Sequence, residues 1–206
     1  MNKWLISLLV IAAVFLVFQL VVSMTTSDIE TPKYKVLKKY PRFELRQYES
    51  MMLATTNLGP ASYDEKASEG FRTVASYIFG KNKSNEKIAM TAPVTAEPQS
   101  SELHMQNASK WRIHFVMPSQ YTLANIPKPK NDAITLREVP SKFFLVHSYS
   151  GFNTLARVQV KTDEALAWAT RKSLKVLSPP QLSRYDPPWT LPVFRRNEIM
   201  LEVAAP

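Results

Sequence analysis

The chain has 206 residues, of which 45% are apolar and 21% are charged. This length and composition predict one globular domain with a sizeable core, once any targeting segment is set aside. The formal net charge of +9 suits anionic partners such as nucleic acid, acidic lipid or a carboxylate-bearing ligand. Because the chain has no cysteine, disulfides, thiolate zinc sites and thiol nucleophiles are excluded.

The first predicted element is the uncharged, mostly apolar run at residues 4–24. A helix rises 1.5 Å per residue, so this run spans about 30 Å, the thickness of a bilayer's hydrocarbon core. We therefore predict an N-terminal transmembrane helix over residues 1–24, with a cleaved secretory signal as the alternative because Lys3 gives the run a positive start. A polar linker follows at 25–33. The flanking charges favour a single-pass protein whose domain is exported to the periplasmic or extracytoplasmic side.

Alternating apolar and polar residues begin after the linker. Residues 34–48 and 51–58 predict two strands of a hairpin. The later stretch SKWRIHFVMP predicts a half-buried strand, because Trp111 and Ile113 lie on one face while Arg112 and His114 lie on the other. These strands indicate a sheet with one buried face.

A helical period over residues 61–79 predicts the first helix of the domain, which Gly80 ends. Gly70 lies inside this helix at a cost of about 1 kcal/mol relative to alanine, which indicates close packing or a nearby ligand. The stretch EKIAMTAPVT at 86–95 then predicts a strand. Proline cannot donate to a strand ladder, so Pro93 is expected at the end or edge of that strand.

The second half of the domain repeats the first. FELRQYES at 43–50 matches ITLREVPS at 134–141, with Leu, Arg and Ser at identical spacing. A second helix is predicted to begin at Thr162 or Asp163. The predicted fold is α+β: a distorted eight-stranded antiparallel barrel-like sheet with two helices outside, built from two ββαββ halves at roughly 34–120 and 131–206.

No catalytic motif is present in the sequence. The three histidines, His104, His114 and His147, have no metal-ligand spacing, and the chain lacks GxSxG, GxGxxG and P-loop patterns. The basic residues are spread along the chain without a nucleic-acid-binding motif. We therefore predict neither an enzyme nor a nucleic-acid-binding protein.

Two stretches resemble the SOUL haem-binding family: GFRTVASYIFGKNKSNEKIAMTAPV at 70–94 and YDPPWTLPVFRRNEIMLEV at 185–203. YSGF at 149–152 is also similar, and the resemblance runs from about residue 34 to residue 203. It implies a distorted barrel with two helices, akin to the effector-binding domains of bacterial drug-responsive regulators. It also implies binding of haem or another tetrapyrrole, as a ligand and without catalysis, in an exposed apolar groove beside the first helix.

A porphyrin is a flat apolar disc with two carboxylates, so such a site needs an apolar wall and cations at its rim. The predicted wall residues are Val74, Ile78 and Met90. The predicted partners of the propionates are Arg72, Lys81, Lys83 and Lys87.

The resemblance assigns no axial iron ligand, because family members do not share one histidine. On local grounds His147 is the predicted ligand, since apolar side chains flank it on its strand face. His114 and His104 are alternatives, and a haem held by apolar contacts alone is also left open.

These observations together predict a membrane-anchored, non-enzymatic haem-binding domain that serves as a carrier, buffer or sensor. One alternative is a promiscuous binder of amphipathic small molecules. The other is a hydrolase on the same fold, for which a buried Glu or Tyr with a shifted pKa in the groove would be the indication.

Overall fold

The computed structural model describes residues 3–27, 29–60, 63–99, 105, 108 and 110–206. The helices and strands in chain order are α1 (Lys3–Ser27), β1 (Tyr34–Lys39), β2 (Phe43–Tyr48), β3 (Met51–Leu58), α2 (Tyr63–Ile78), β4 (Val94–Pro98), β5 (Trp111–Val116), β6 (Ile134–Val139), β7 (Lys142–Tyr149), α3 (Leu155–Arg171), β8 (Gln181–Arg184) and β9 (Asn197–Val203). Within these residues, nine strands form one curled antiparallel sheet, in the order β1-β2-β7-β9-β8-β4-β5-β3-β6.

Both α2 and α3 pack on one face of this sheet, α2 against β3 and β5 and α3 against β7 and β9. We call this side the helix face and the opposite side the open face. The period-two alternation of β5 places Trp111 and Ile113 in the core under the helices, whereas Arg112 and His114 lie on the open face. The predicted orientation of this strand is confirmed.

The core lies between the helices and the helix face of the sheet. Val74 of α2 and Leu145 of β7 are both completely buried, and burying a side chain of this size stabilises the fold by about 1.5–3 kcal/mol. A Cβ added at Gly70 would lie 2.8 Å from Ile113 Cδ1 and 2.9 Å from Leu58 Cδ2. Gly70 therefore allows α2 to pack closely on side chains of the sheet.

The predicted number of strands is wrong, because residues 34–48 form two strands. A turn at Pro41 and Arg42 separates β1 from β2, and the amide of Tyr40 donates to the carbonyl of Phe43 across it at 2.8 Å. All six residues of β1 are exposed, as expected for a strand at the edge of the sheet. The fold is thus α+β with a nine-stranded half-barrel.

Two predicted boundaries are also wrong. Helix α3 begins at Leu155, where the hydroxyl of Thr154 accepts from the amide of Arg157 at 3.3 Å. Thr162 lies inside the helix, and its hydroxyl donates to the carbonyl of Val158. The stretch at 86–95 is extended only at its end, because β4 begins at Val94, directly after the cis peptide bond before Pro93.

The predicted membrane anchor is overturned. The part of the chain that the structure describes holds no helix with both the length and the hydropathy to cross a bilayer. Single-pass membrane localisation, which depended on this anchor, is corrected with it.

Helix α1 contacts the domain through one buried polar side chain. The amide nitrogen of Gln19 donates to the carbonyl of Trp189 at 3.3 Å, and its oxygen accepts from the amide of Leu191 at 3.0 Å. Asp28 of the predicted linker and residues 61–62 of the predicted first helix lie outside the described residues.

The strand order has an internal symmetry. With β1 set aside, β2-β7-β9-β8 on one side corresponds to β6-β3-β5-β4 on the other, and β4 and β8 pair at the centre through Ala96 and Leu182. Arg46 and Arg137, which match in the sequence repeat, lie on the corresponding strands β2 and β6. Two ββαββ halves would produce this arrangement, and the exact limits of the halves stay a prediction.

Candidate functional site

The open face of the sheet holds a groove of about 400 Å³. This volume lies in the range of small-molecule sites, about 300–1,000 Å³. Two small apolar clusters on this face, separate from the main core, form much of its wall. Besides four prolines, the apolar side chains that line it are Tyr48, Met51, Leu53, Val116, Val139, Phe144 and Met200.

Cations lie around this apolar wall. Arg112 donates to Glu97 at 2.7 Å, and Gln181 donates to the other oxygen of the same carboxylate at 2.8 Å. Arg137 approaches Glu97 only to 4.0 Å, and its buried Nε has no hydrogen-bond partner among the described residues. Lys142 pairs with Glu202 at 2.7 Å. Arg137 therefore has donors left for a ligand carboxylate.

A row of polar residues crosses the open face. Thr55, His114, Thr95, Ser183 and Glu198 are direct partners across the ladders of β3, β5, β4, β8 and β9. Because residues directly opposite on neighbouring strands have their Cβ atoms about 4.5–5.5 Å apart, the row is continuous. The hydroxyls of Thr95 and Ser183 hydrogen-bond to each other at 2.8 Å.

The ring of His114 and the hydroxyl of Thr55 are the exceptions in this row, because neither has a hydrogen-bond partner among the described residues. The side chain of His114 is 6% exposed, it makes no hydrogen bond to any described residue, and its Nδ1 is buried. Burial lowers the pKa of His114 to about 4, and the charges of Arg137 and Arg112 lower it while that of Glu97 opposes them. The groove therefore presents a neutral imidazole at pH 7.

At the other end of the row, Glu198 is completely buried and fully paired. Arg46 donates to both of its oxygens at 3.1 Å, Arg196 at 2.8 Å, Tyr185 at 2.7 Å and Ser148 at 3.0 Å. Burial alone would raise the pKa of Glu198, but the charges of the two arginines outweigh it and hold that pKa below its ordinary value. Glu198 is thus a fixed carboxylate that orders the wall of the groove.

The pKa values of Tyr48 and Glu198 are shifted because both groups belong to this buried network of paired charges. Burial raises the pKa of Tyr48 to about 12, and its hydroxyl accepts from Arg46. An acid or base catalyst is most effective with a pKa near the working pH, which neither Tyr48 nor Glu198 has. These shifts therefore do not by themselves indicate a hydrolase.

The residues predicted from the family resemblance lie away from this groove. Val74 and Ile78 are 0% and 1% exposed in the core, and Met90 is partly buried against it. The predicted cations are exposed on the surface: Arg72, Lys81, Lys83 and Lys87. None of these seven residues lines the groove. Their roles in ligand binding stay predictions.

His147 lies on the helix face and also does not line the groove. Its Nδ1 donates to the carbonyl of Arg42 at 3.0 Å, and its ring stacks on Phe43 with 4.6 Å between centroids. Its Nε2 lies 3.0 Å from a carboxylate oxygen of Glu164, although the angle is outside hydrogen-bonding geometry. The third histidine, His104, lies outside the described residues.

The groove-lining cations Arg112, Arg137 and Lys142 were not predicted as site residues. Two sequence signals could have identified the two arginines. The alternation of β5 already separates Arg112 from the core residue Trp111, and the internal repeat already marks Arg137. Neither signal shows which strands become neighbours, so neither shows that these side chains share one groove.

Comparison with known proteins identifies the family whose profile this chain matches. The profile of the family described as SOUL heme-binding protein matches residues 29–202. Human Heme-binding protein 2 is 28% identical over 137 residues, which cover 64% of this chain and 65% of that protein, slightly less than two thirds of its length. Heme-binding protein 1 of Xenopus tropicalis is 27% identical over 168 residues, 76% of this chain and 81% of that protein.

Among solved structures, the crystal structure of the EcmrR C-terminal domain superposes with a TM-score of 0.60 at 12% identity. The match covers 84% of this chain and 99% of that one. At this identity the likeness shows a shared fold alone. The family profile, in contrast, spans most of the sequence, and the chain therefore belongs to the SOUL heme-binding protein family.

Proposed function

We propose that this protein binds haem or a related tetrapyrrole in the groove on the open face, as a carrier, buffer or sensor and without catalysing a reaction. Membership of the family and the names of its relatives support haem as the ligand. The observation that carries the location is that one groove combines an apolar wall with Arg137, whose Nε has no hydrogen-bond partner among the described residues.

The residues of the groove fit the chemistry of a porphyrin. Burying the apolar disc against Leu53, Val116 and Phe144 would contribute about 25 cal/mol for each Å² removed from water. A propionate paired with Arg137 would form a charge-assisted hydrogen bond, worth about 1.5–3 kcal/mol before screening by solvent. The side chain of Arg137 is 40% exposed, so the realised contribution is expected at the lower end.

Titration of haemin into the full chain, followed by Soret absorbance, tests this proposal. We expect saturable binding at micromolar haemin. Arg137→Ala should weaken the affinity about tenfold, which corresponds to about 1.4 kcal/mol. Its matched control is Lys87→Ala, an exposed cation on the α2 side, which should leave the affinity unchanged. Absence of a saturable Soret change in the wild type would refute haem binding.

The same variants separate the groove from a site beside α2. That second location would use Arg72, Lys81 and Lys87 as cations and Met90 as an apolar contact. For Val74 and Ile78 to contact a ligand there, α2 would have to move away from the core in which both are buried. Weaker binding in Lys87→Ala, with Arg137→Ala unchanged, would place haem beside α2 and overturn the groove assignment.

A promiscuous binder of amphipathic cations is the less favoured alternative. Both carboxylates that line the groove are already paired: Glu97 is bound by Arg112 and Gln181, and Glu202 by Lys142. A cationic ligand would have to displace Arg112 or leave its own charge without a partner, which is costly in a partly buried site. Thermal-shift measurements with hydrophobic cations and with porphyrins are expected to show stabilisation by porphyrins alone.

A further inference from the structure

We propose that His114 is the residue through which this protein contacts the iron of a haem held in the groove. This inference rests on the proposed function and adds one named side chain to it. It also replaces His147, which local sequence reasoning favoured, with a histidine on the opposite face of the sheet.

The first argument is position. His114 lies on the open-face side of β5 and lines the groove together with Arg112 and Val116, which precede and follow it on the same face. It therefore stands between a cation that suits a propionate and an apolar side chain that suits the disc. His147, in contrast, is 3% exposed beneath α3 and lines no part of this groove.

The second argument is the missing partner. A buried polar atom without a hydrogen bond costs about 1–3 kcal/mol, and few such atoms occur in native proteins. The Nδ1 atom of His114 is in this state, although the threonines on both neighbouring strands are directly opposite it. The Nε2 atom of His147 is in the same state, but of the two described histidines only His114 combines it with a place in the groove wall, where a ligand can contact the ring.

The third argument is chemical. A haem iron takes a neutral imidazole as an axial ligand, because the coordinating nitrogen must offer its lone pair. No described residue hydrogen-bonds to the ring of His114, so a ligand in the groove can use one of its nitrogens. A ligating histidine is normally oriented by a hydrogen bond at its other nitrogen. Thr55, directly across the ladder and with its own buried hydroxyl unpaired, is the group available for this role.

Matched histidine variants of the full chain test this inference by spectroscopy. Ferric haemin is titrated into the wild type, His114→Ala and His147→Ala, and the Soret position and the spin state by electron paramagnetic resonance are recorded. We expect His114→Ala alone to lose the histidine-ligated spectrum, and added imidazole to restore it. If His114→Ala keeps the wild-type spectrum, or if His147→Ala loses it instead, the inference is wrong.

Metal-free protoporphyrin distinguishes loss of the iron contact from loss of the groove. We expect His114→Ala to bind metal-free protoporphyrin with wild-type affinity, measured by porphyrin fluorescence, while its haemin affinity falls at least tenfold. Equal losses for both ligands would assign His114 a structural role and overturn the inference. His114→Leu fills most of the same space without a nitrogen and should behave like His114→Ala. It serves as the control for the space that the alanine replacement leaves in the groove wall.

The outcomes for the two proposals are separable. If the wild type binds neither haemin nor protoporphyrin, the proposed function fails and the iron contact fails with it. If the wild type binds both and no histidine variant changes the haemin spectrum, the proposed function stands and only the role of His114 is refuted.

Discussion

Replacing Glu198 with alanine would remove the more deeply buried of the two carboxylates that pair with Arg46 on the open face; the other is Glu44, at 2.7 Å. The side chain of Arg46 is 4% exposed and that of Glu198 is 0% exposed, so water cannot replace the lost partner. Removing one member of a buried ion pair costs about 3–5 kcal/mol, and here Arg46 would keep only Glu44 while Arg196 would lose its pairing with Glu198. This is a large part of the about 5–15 kcal/mol by which a typical domain is stable.

Urea unfolding followed by tryptophan fluorescence measures this loss. With a slope of about 2 kcal/mol/M, we expect the midpoint of Glu198→Ala to fall by about 1.5–2.5 M while the slope is unchanged. The matched control is Lys39→Ala, which breaks the exposed pair between Lys39 and Glu44 at 3.5 Å. Since Lys39 is 78% exposed, this change should cost no more than about 1 kcal/mol.

A double-variant cycle tests the mechanism behind that number. Arg46→Met combined with Glu198→Leu removes both charges, so the pair should cost clearly less than the sum of the two single replacements. A loss below about 1 kcal/mol in Glu198→Ala, or strictly additive costs in the cycle, would refute the view that this buried network orders the groove wall.

Three further predictions concern His114, His147 and Gly70. Burial lowers the pKa of His114 from 6.5 to about 4, so the unfolded chain takes up a proton first as the pH falls. The free energy of unfolding should therefore decrease between pH 6.5 and pH 4, by on the order of 3 kcal/mol, and His114→Leu should abolish this part of the pH dependence. His147→Ala loses a hydrogen bond and a stacked ring, so its urea midpoint should report a loss of about 1–3 kcal/mol without a change in haemin affinity. At Gly70, thermal unfolding should show valine to be worse than alanine by about 1–3 kcal/mol, because the added methyls would meet Ile113.

Local periodicity in the sequence was sufficient to predict the class of fold. It also predicted which side chains of a given strand or helix lie on the same face. The alternation of β5 placed Trp111 in the core and Arg112 with His114 opposite it, because successive side chains of a strand point to opposite faces. The spacing around α2 placed Val74 and Ile78 together, and the repeat matched Arg46 with Arg137. These features depend on neighbours in the chain, which a sequence shows directly.

The division of residues 34–48 into two strands and the start of α3 at Leu155 depended on weaker signals. Both were mispredicted because the turn at Pro41 and the cap at Thr154 each depend on a single hydrogen bond. The residues around them do not show in the sequence whether a strand or helix begins or ends there. The N-terminal run illustrates the same limit. An apolar composition predicted a membrane span, but the described part of the chain does not contain one.

The candidate site was decided by tertiary structure. His114 and His147 have similar sequence surroundings, since each lies in a strand among apolar residues. Pairing of β2 with β7 places the ring of His147 against Phe43 and the carbonyl of Arg42, whereas β5 leaves His114 facing a groove without a partner. Which polar groups are satisfied is a matter of long-range neighbours, and only the folded sheet brings those neighbours together.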